Sequence, residues 1–195
     1  SRPSLARDTT YQARALQSLV ALDTTPTMHG AFDALEATGR TVTLVRYLGE
    51  HGPNGAFAEA VSPLDAYPRG AVILDGARQH VGTGQGSDSI VHWSPDVHTF
   101  DDDAEAPIPW ARPGANVILG HEMLHGVQSA QGTTPVGPFG DANVAAERAT
   151  VGLDARTYGP DQAHPRRLGA PLPSTRDLPF TENRVRADFR ERGIP

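Results

Sequence analysis

The sequence predicts an α+β fold in a single domain, a small mixed sheet packed on helices, with one helix carrying the chemistry. Three observations lead there. Helical patterns occupy both ends of the chain and short β-branched runs occupy the middle, unlike the βαβ alternation of a parallel sheet. The 195 residues (20.7 kDa) suit one domain with a real core. Aromatics are only 6%, while Gly (20) and Pro (17) are plentiful, so the core is modest and the turns are many.

Asp8 can cap a first helix running to about Leu22, with Tyr11, Leu16, Leu19 and Val20 as its apolar positions. A second helix is expected from Met28 to Ala37, stopped by Gly39. Thr41–Leu48 alternates and is β-branched, so it reads as a strand. Residues 49–70 read as loop around a short helix at Phe57–Val61. Ala71–Leu74 is a short apolar run expected to be a buried strand. Gly82–Gly86 reads as a flexible turn leading into a strand at Ser89–Trp93. Helical pattern returns from Gly114 to Ala130, with Gly132 beyond it. Asp141 or Asn143 opens a helix carrying Glu147, and Thr181 caps a last helix from Glu182 to Arg192.

Composition excludes several functions. Without Cys there are no disulfides, no thiolate metal sites and no Cys nucleophile. A net charge of -6 argues against nucleic acid, which wants a basic face. No run of 18 apolar residues exists, so no membrane span is expected. The chain begins Ser1-Arg2-Pro3 without Met, which reads as a processed or trimmed form whose targeting segment is not visible. All 17 basic residues are Arg. High-GC coding accounts for that; the functional alternative is a chain with no ε-amine for ubiquitin, as would suit a bacterial protein inside a eukaryotic cell.

The sharp signal is Gly120-His121-Glu122-Met123-Leu124-His125. Two His at i and i+4 lie one turn apart on one helix face, so their imidazoles can converge on one cation such as zinc. Glu122, beside the first ligand, can take a proton from the water that the cation activates. With 8 His in the chain and 8 Glu, chance places this pattern only about 0.01 times in such a sequence. A catalytic zinc needs a third protein ligand and an open position. Glu147, early in the next helix, is the first candidate; Asp154 is the alternative, and Asp141 and Asp161 compete. Gly152–Gly159 resembles a segment of peptidases in which Asp is the third ligand and a nearby Tyr donates to the oxyanion, which brings in Tyr158; the Asp-to-Tyr spacing is one residue longer here.

His29, His51, His80 and His98 have no partner at ligand spacing. Ser89–Trp93, with Ser89 and His92, reads as an edge strand bordering the cleft, where an extended substrate would add as another strand. Trp93 and Trp110 read as core. The acidic segment Asp101–Glu105, between that strand and the zinc helix, would favour basic substrate residues. Glu182 and Asn183, in the first turn of the last helix, either orient a ligand His or serve the helix end. Arg184 and Arg186 are further candidates for the oxyanion.

Four stretches together resemble the NleD-like zinc metallopeptidases, which enteric and plant-pathogenic bacteria deliver by type III secretion and which also occur in polymorphic toxins. They are Gly86-Ser87-Asp88-Ser89, the zinc helix Gly120–His125, Glu147-Arg148-Ala149-Thr150-Val151-Gly152-Leu153, and Thr181-Glu182-Asn183-Arg184-Val185-Arg186. They span residues 86–190. The resemblance implies a zincin-like fold, one Zn2+ per chain, and endoproteolysis of a host protein in the host cytosol after secretion by a bacterium. The best-known relative cuts stress-activated mitogen-activated protein kinases, so a signalling kinase is one candidate substrate. Residues 1–85 would supply N-terminal helices and strands and 86–195 the catalytic core of one domain, and a monomer whose partner is its host protein substrate is expected. Two other classes stay open: a non-catalytic zinc-binding interaction module, and a metal-dependent hydrolase of non-peptide substrates.

Overall fold

The computed structural model describes residues 9–48, 56–75, 78–96, 114–136, 142–153, 156–157, 171–172 and 174–192. Two helices come first, α1 (Thr9–Asp23) and α2 (Pro26–Thr38). Thr25 caps α2 by accepting from the Met28 amide, Pro26 suits its first turn, and Gly39 ends it in the left-handed region at φ 67°. Strands β1 (Val42–Arg46), β2 (Ala56–Ala60) and β5 (Ser89–Trp93) make a mixed sheet in the order β1-β5-β2. β1 runs parallel to β5, with Val45 opposite His92; β2 runs antiparallel, with Phe57 opposite His92. A short helix, α3 (Pro63–Ala66), and a separate hairpin, β3 (Val72–Asp75) with β4 (Arg78–Val81), lie between β2 and β5 in sequence. Then come α4 (Ala115–Gln131), α5 (Ala142–Val151), a two-residue ladder of β6 (Arg156–Thr157) with β7 (Pro171–Leu172), and α6 (Glu182–Glu191).

α4 is the centre of the molecule. It touches the sheet and every other helix. Ile118, Leu119, Met123, Leu124 and Val127 are buried against Leu22 and Met28, against Val91 and Trp93 of β5, and against Val185 and Phe189 of α6. Burying each such side chain contributes roughly 1.5–3 kcal/mol. Two helical glycines let neighbours come close: a Cβ on Gly120 would stand 3.1 Å from Leu22 Cδ2, and one on Gly126 3.0 Å from Val42 Cγ2. Trp93 is fully buried, and its indole N–H donates to the Ala115 carbonyl at 3.0 Å, tying the sheet to the start of α4.

The other end of α4 is clamped by residues 82–88. The Ser87 amide donates to Ser129 O, Gly84 N to Tyr67 O and Gly86 N to Asp65 O. Asp88 Oδ1 accepts from the Thr41 amide at the entrance to β1, and Ser87 Oγ accepts from Ser62 N just after β2. One short segment therefore fixes the ends of two strands and of the central helix.

Several local expectations are corrected. Phe57–Val61 is not a helix; the Ala-rich run has helical propensity, but pairing with β5 outweighs it. Ala71–Leu74 is not a buried strand, since only Ile73 is buried and the hairpin stands outside the main sheet. The Gly82–Gly86 turn is held by the backbone bonds just named and is not free. On α1 the buried face is Ala15 and Leu22, with Tyr11 and Leu19 packed beside them, while Leu16 and Val20 are exposed. Most consequentially, β5 is the central strand, paired on both sides, and not an edge.

Gly86 and Gly39 make a controlled pair. Both have positive φ, 76° and 67°, but a Cβ at Gly86 would fall on the Ala130 carbonyl oxygen, whereas at Gly39 it meets nothing within 4 Å. Gly39→Ala should cost roughly 1–2 kcal/mol from the left-handed conformation alone. Gly86→Ala should cost at least about 3 kcal/mol, because backbone must move as well. Denaturant unfolding of the two variants checks this, and equal losses would show that the clamp is unimportant.

Candidate metal centre

Residues 118–124 of α4 are buried on every side, as expected of a helix that is apolar nearly all round. His121 and His125 nevertheless open onto a cleft of about 880 Å³. His121 is only 4% exposed. The imidazoles stand edge to face with centroids 4.8 Å apart, and their Nε2 atoms lie 3.1 Å from each other. Glu147 reaches across from α5. Its Oε2 lies 3.1 Å from His121 Nε2, and its Oε1 lies 3.1 Å from His125 Nε2. All three ligand atoms fall within 4.8 Å of one another, so the three residues form a group that can hold a metal ion. Ligand atoms about 2.0–2.1 Å from a tetrahedral centre stand roughly 3.3 Å apart, which the observed separations approach.

A second layer holds the imidazoles. His121 Nδ1–H donates to Glu182 Oε2 at 2.7 Å. A carboxylate can only accept, so Nδ1 carries a hydrogen; Nε2 faces the Glu147 carboxylate, and the hydrogen there is the one a metal ion would displace. The other Glu182 oxygen accepts from the Arg186 guanidinium one helical turn on. His125 Nδ1 lies 3.2 Å from Thr150 Oγ1, which also accepts from Gln128 Nε2 at 3.1 Å. α6 is fixed for this task at its start. Thr181 caps it by accepting from the Arg184 amide, and Asn183 Nδ2 donates to the Gly152 carbonyl at the end of α5.

A family model for peptidase M91, described as effector protein, matches residues 4–193, nearly the whole chain. The chain belongs to the M91 peptidase family. No curated protein matches it, and no solved structure does. The NleD-like resemblance in the sequence points to the same family. Membership makes this M91 chain a metallopeptidase-type effector, with a protein of the host cell as the suggested target. Among the described residues no helix is long and apolar enough to cross a membrane.

The electrostatics of the M91 cluster are those of carboxylates crowded around imidazoles. Burial pulls His121 down, but its hydrogen bonds to Glu147 and Glu182 and the nearby Glu122 charge outweigh this and push it up to about 10. Burial acts to raise Glu147 and Glu182, and their imidazole partners, with Arg186 for Glu182, hold both below the usual carboxylate range. Burial raises Glu122; His121 and His125 oppose the rise, and the charges of Glu147 and Glu182 add to it.

Of the sequence candidates, His121, Glu122, His125, Glu147, Glu182, Asn183 and Arg186 all line the cleft. Ser89 and His92 do not, which corrects the expectation drawn from an edge strand. Ser89 is buried in mid-sheet, and His92 stacks on Phe57 at 4.1 Å on the opposite face, with its Nε2 2.9 Å from Glu59. Asp154, Tyr158, Asp141, Asp161, Trp110, His51, His98 and Asp101–Glu105 lie outside the described residues. Thr150 and Gln128 went unread in the sequence. Each lies three residues after a candidate ligand, Glu147 or His125, so helical spacing places it on the same face. The cleft wall formed by Ala56, Ala58 and Ala60 of β2 was hidden because that strand read as helix.

These shifts fix a pH dependence. A raised His121 and a raised Glu122 favour the metal-free fold at low pH; the His121 share is complete below its unfolded value of 6.5 and is lost as pH rises towards about 10. The depressed Glu147 and Glu182 contribute above 4.5 and lose their share as pH falls. A divalent metal competes with those same protons, so its stabilisation must grow with pH. Between pH 6 and 9 the melting temperature of metal-free protein should fall while the increment from added metal rises. Thermal melts with and without metal across that range check both signs, and an increment flat with pH would contradict the assignment.

Proposed function

We propose that this chain is a zinc-dependent endopeptidase of zincin-like fold, acting as a monomer and a single domain over residues 1–195, which a bacterium secretes into a host cell to cut a host protein. The observation carrying this reading is the convergence of His121, His125 and Glu147 beside the buried Glu122 in one open cleft. Zinc held by those three residues would polarise a water and bring its pKa towards neutrality.

The chain's own groups supply the rest. Glu122 takes the proton of the attacking water and passes it to the leaving amine, and burial, by raising its pKa, makes it a stronger base than an exposed carboxylate. Glu182 keeps His121 protonated on Nδ1, so that Nε2 is free to bind. Tyr158 is the proposed oxyanion donor, and Asp154 is the alternative third ligand. A substrate can lie extended along β2, which among the described residues pairs only with β5 and whose small alanines leave the cleft open. An open cleft and a carboxylate next to the first ligand favour this reading over a structural zinc module, which would close its site with four protein ligands. Membership of a peptidase family favours it over a hydrolase of other substrates.

Two experiments test it. Glu122→Gln should retain about one zinc per chain and a near-unchanged melting temperature, while losing at least about 100-fold in proteolysis. Mass spectrometry of host-cell lysate treated with wild type and with this variant reads the cut. Identical peptide patterns from the two would leave no peptidase function. Glu147→Gln keeps size and removes the ligand charge, so zinc affinity should fall at least about tenfold. Asp154→Asn should change affinity less; the reverse ordering, measured by chelator competition, would make Asp154 the ligand.

A further inference from the structure

His121 and His125 are the same residue type on one face of α4, yet their outer nitrogens meet different chemistry. His121 Nδ1 faces the Glu182 carboxylate, and His125 Nδ1 faces the Thr150 hydroxyl. Thr150 is fully buried, so no bulk water can take the place of either partner. Gln128 Nε2 donates into Thr150 Oγ1 and fixes the hydroxyl's remaining capacity in the direction of His125. Gln128 Oε1 is itself buried without a hydrogen-bond partner among the described residues. An amide left half satisfied is costly, and apolar packing would have avoided that cost. α5 thus grips one imidazole from both sides. Glu147 meets His125 Nε2 at 3.1 Å, and Thr150, one turn further on, meets Nδ1 at 3.2 Å.

Resting on the metal-site reading above, we propose that Thr150, held by Gln128, is the positioning residue for His125 and sets the metal affinity of the site. A carboxylate accepts only, so Glu182 commits His121 to one tautomer. A hydroxyl accepts or donates, so Thr150 serves both tautomers of His125. With a hydrogen on Nε2 facing Glu147, Thr150 donates to Nδ1. With Nε2 given to a metal ion, the hydrogen sits on Nδ1 and Thr150 accepts it. The imidazole keeps its orientation with either tautomer, and only the Thr150 hydroxyl hydrogen has to turn.

The test compares Thr150→Val, which keeps shape and removes both hydrogen-bonding functions, with Thr150→Ser, which keeps them. Zinc dissociation constants by chelator competition are read beside metal-free melting temperatures. Thr150→Val should bind zinc about 10–100-fold more weakly, while Thr150→Ser recovers most of that loss. Gln128→Leu should move affinity the same way by a smaller factor, and it stands in if Thr150→Val fails to fold. Wild-type affinity in Thr150→Val, or a serine variant as weak as the valine one, overturns the proposal. A wild type that binds no zinc overturns the metal-site reading and the proposal with it, so the two failures are distinguishable.

Discussion

A buried imidazole with both nitrogens in use is the constraint on which the rest of this structure depends. His121 is almost wholly removed from water, so each ring nitrogen must find a protein partner or a ligand. One partner comes from α6 and the other from α5. Neither helix can shift along α4 without stranding a polar atom in the core. This explains why the contact between the end of α5 and the start of α6 is so tight. Gly152, at φ 81°, leaves no room for a Cβ against Thr181, and Thr181 is itself the cap of α6.

The same constraint shapes the sheet. α4 must be covered on nearly every side to bury its apolar residues, yet open where the histidines emerge. The alternation of β2 resolves the conflict: the side chains of Ala56, Ala58 and Ala60 take the cleft side, and although Phe57 also borders the cleft, its ring and Glu59 meet His92 on the other face. Larger residues at the alanine positions would fill the space in front of the cluster. The clamp at residues 82–88 then keeps β5 and the end of α4 in register, so that the cleft is a fixed feature of the packing.

What the sequence made legible follows from what is local. The cap at Thr181, the stops at Gly39 and Gly132 and the one-turn spacing of His121 and His125 depend on neighbours within a few residues, and these could be read directly. Glu147 could be placed on a helix but not in space; its distance to two imidazoles is set by how α5 packs. Ala56–Ala60 was misread because a stretch such as Ala-Phe-Ala-Glu-Ala carries no β-branched residue, and its strand state is imposed by β5, whose paired residues lie far along the chain, as Trp93 does from Ala56. The place of β5 in the sheet was misread for a related reason. Alternation reveals a strand, but the order of strands is non-local. Thr150 and Gln128 were legible in principle by counting three residues from each candidate ligand; their chemistry is too common to stand out without the fold.

Charge explains why the cluster is built as it is. Glu122, Glu147 and Glu182 bring three carboxylates against two imidazoles in a largely buried place, and such crowding is unfavourable without compensation. Arg186 answers Glu182 directly, which leaves the charge of two carboxylates over. A proton on His121 answers one of them, which is why that imidazole holds its proton so strongly. A divalent cation answers both and returns His121 to its neutral form, so Glu122 stays ionised without like charge left uncompensated around it. Arg186 is therefore part of the cluster's charge through Glu182: replace it with a neutral residue and the site would carry one negative charge too many for a divalent ion to balance.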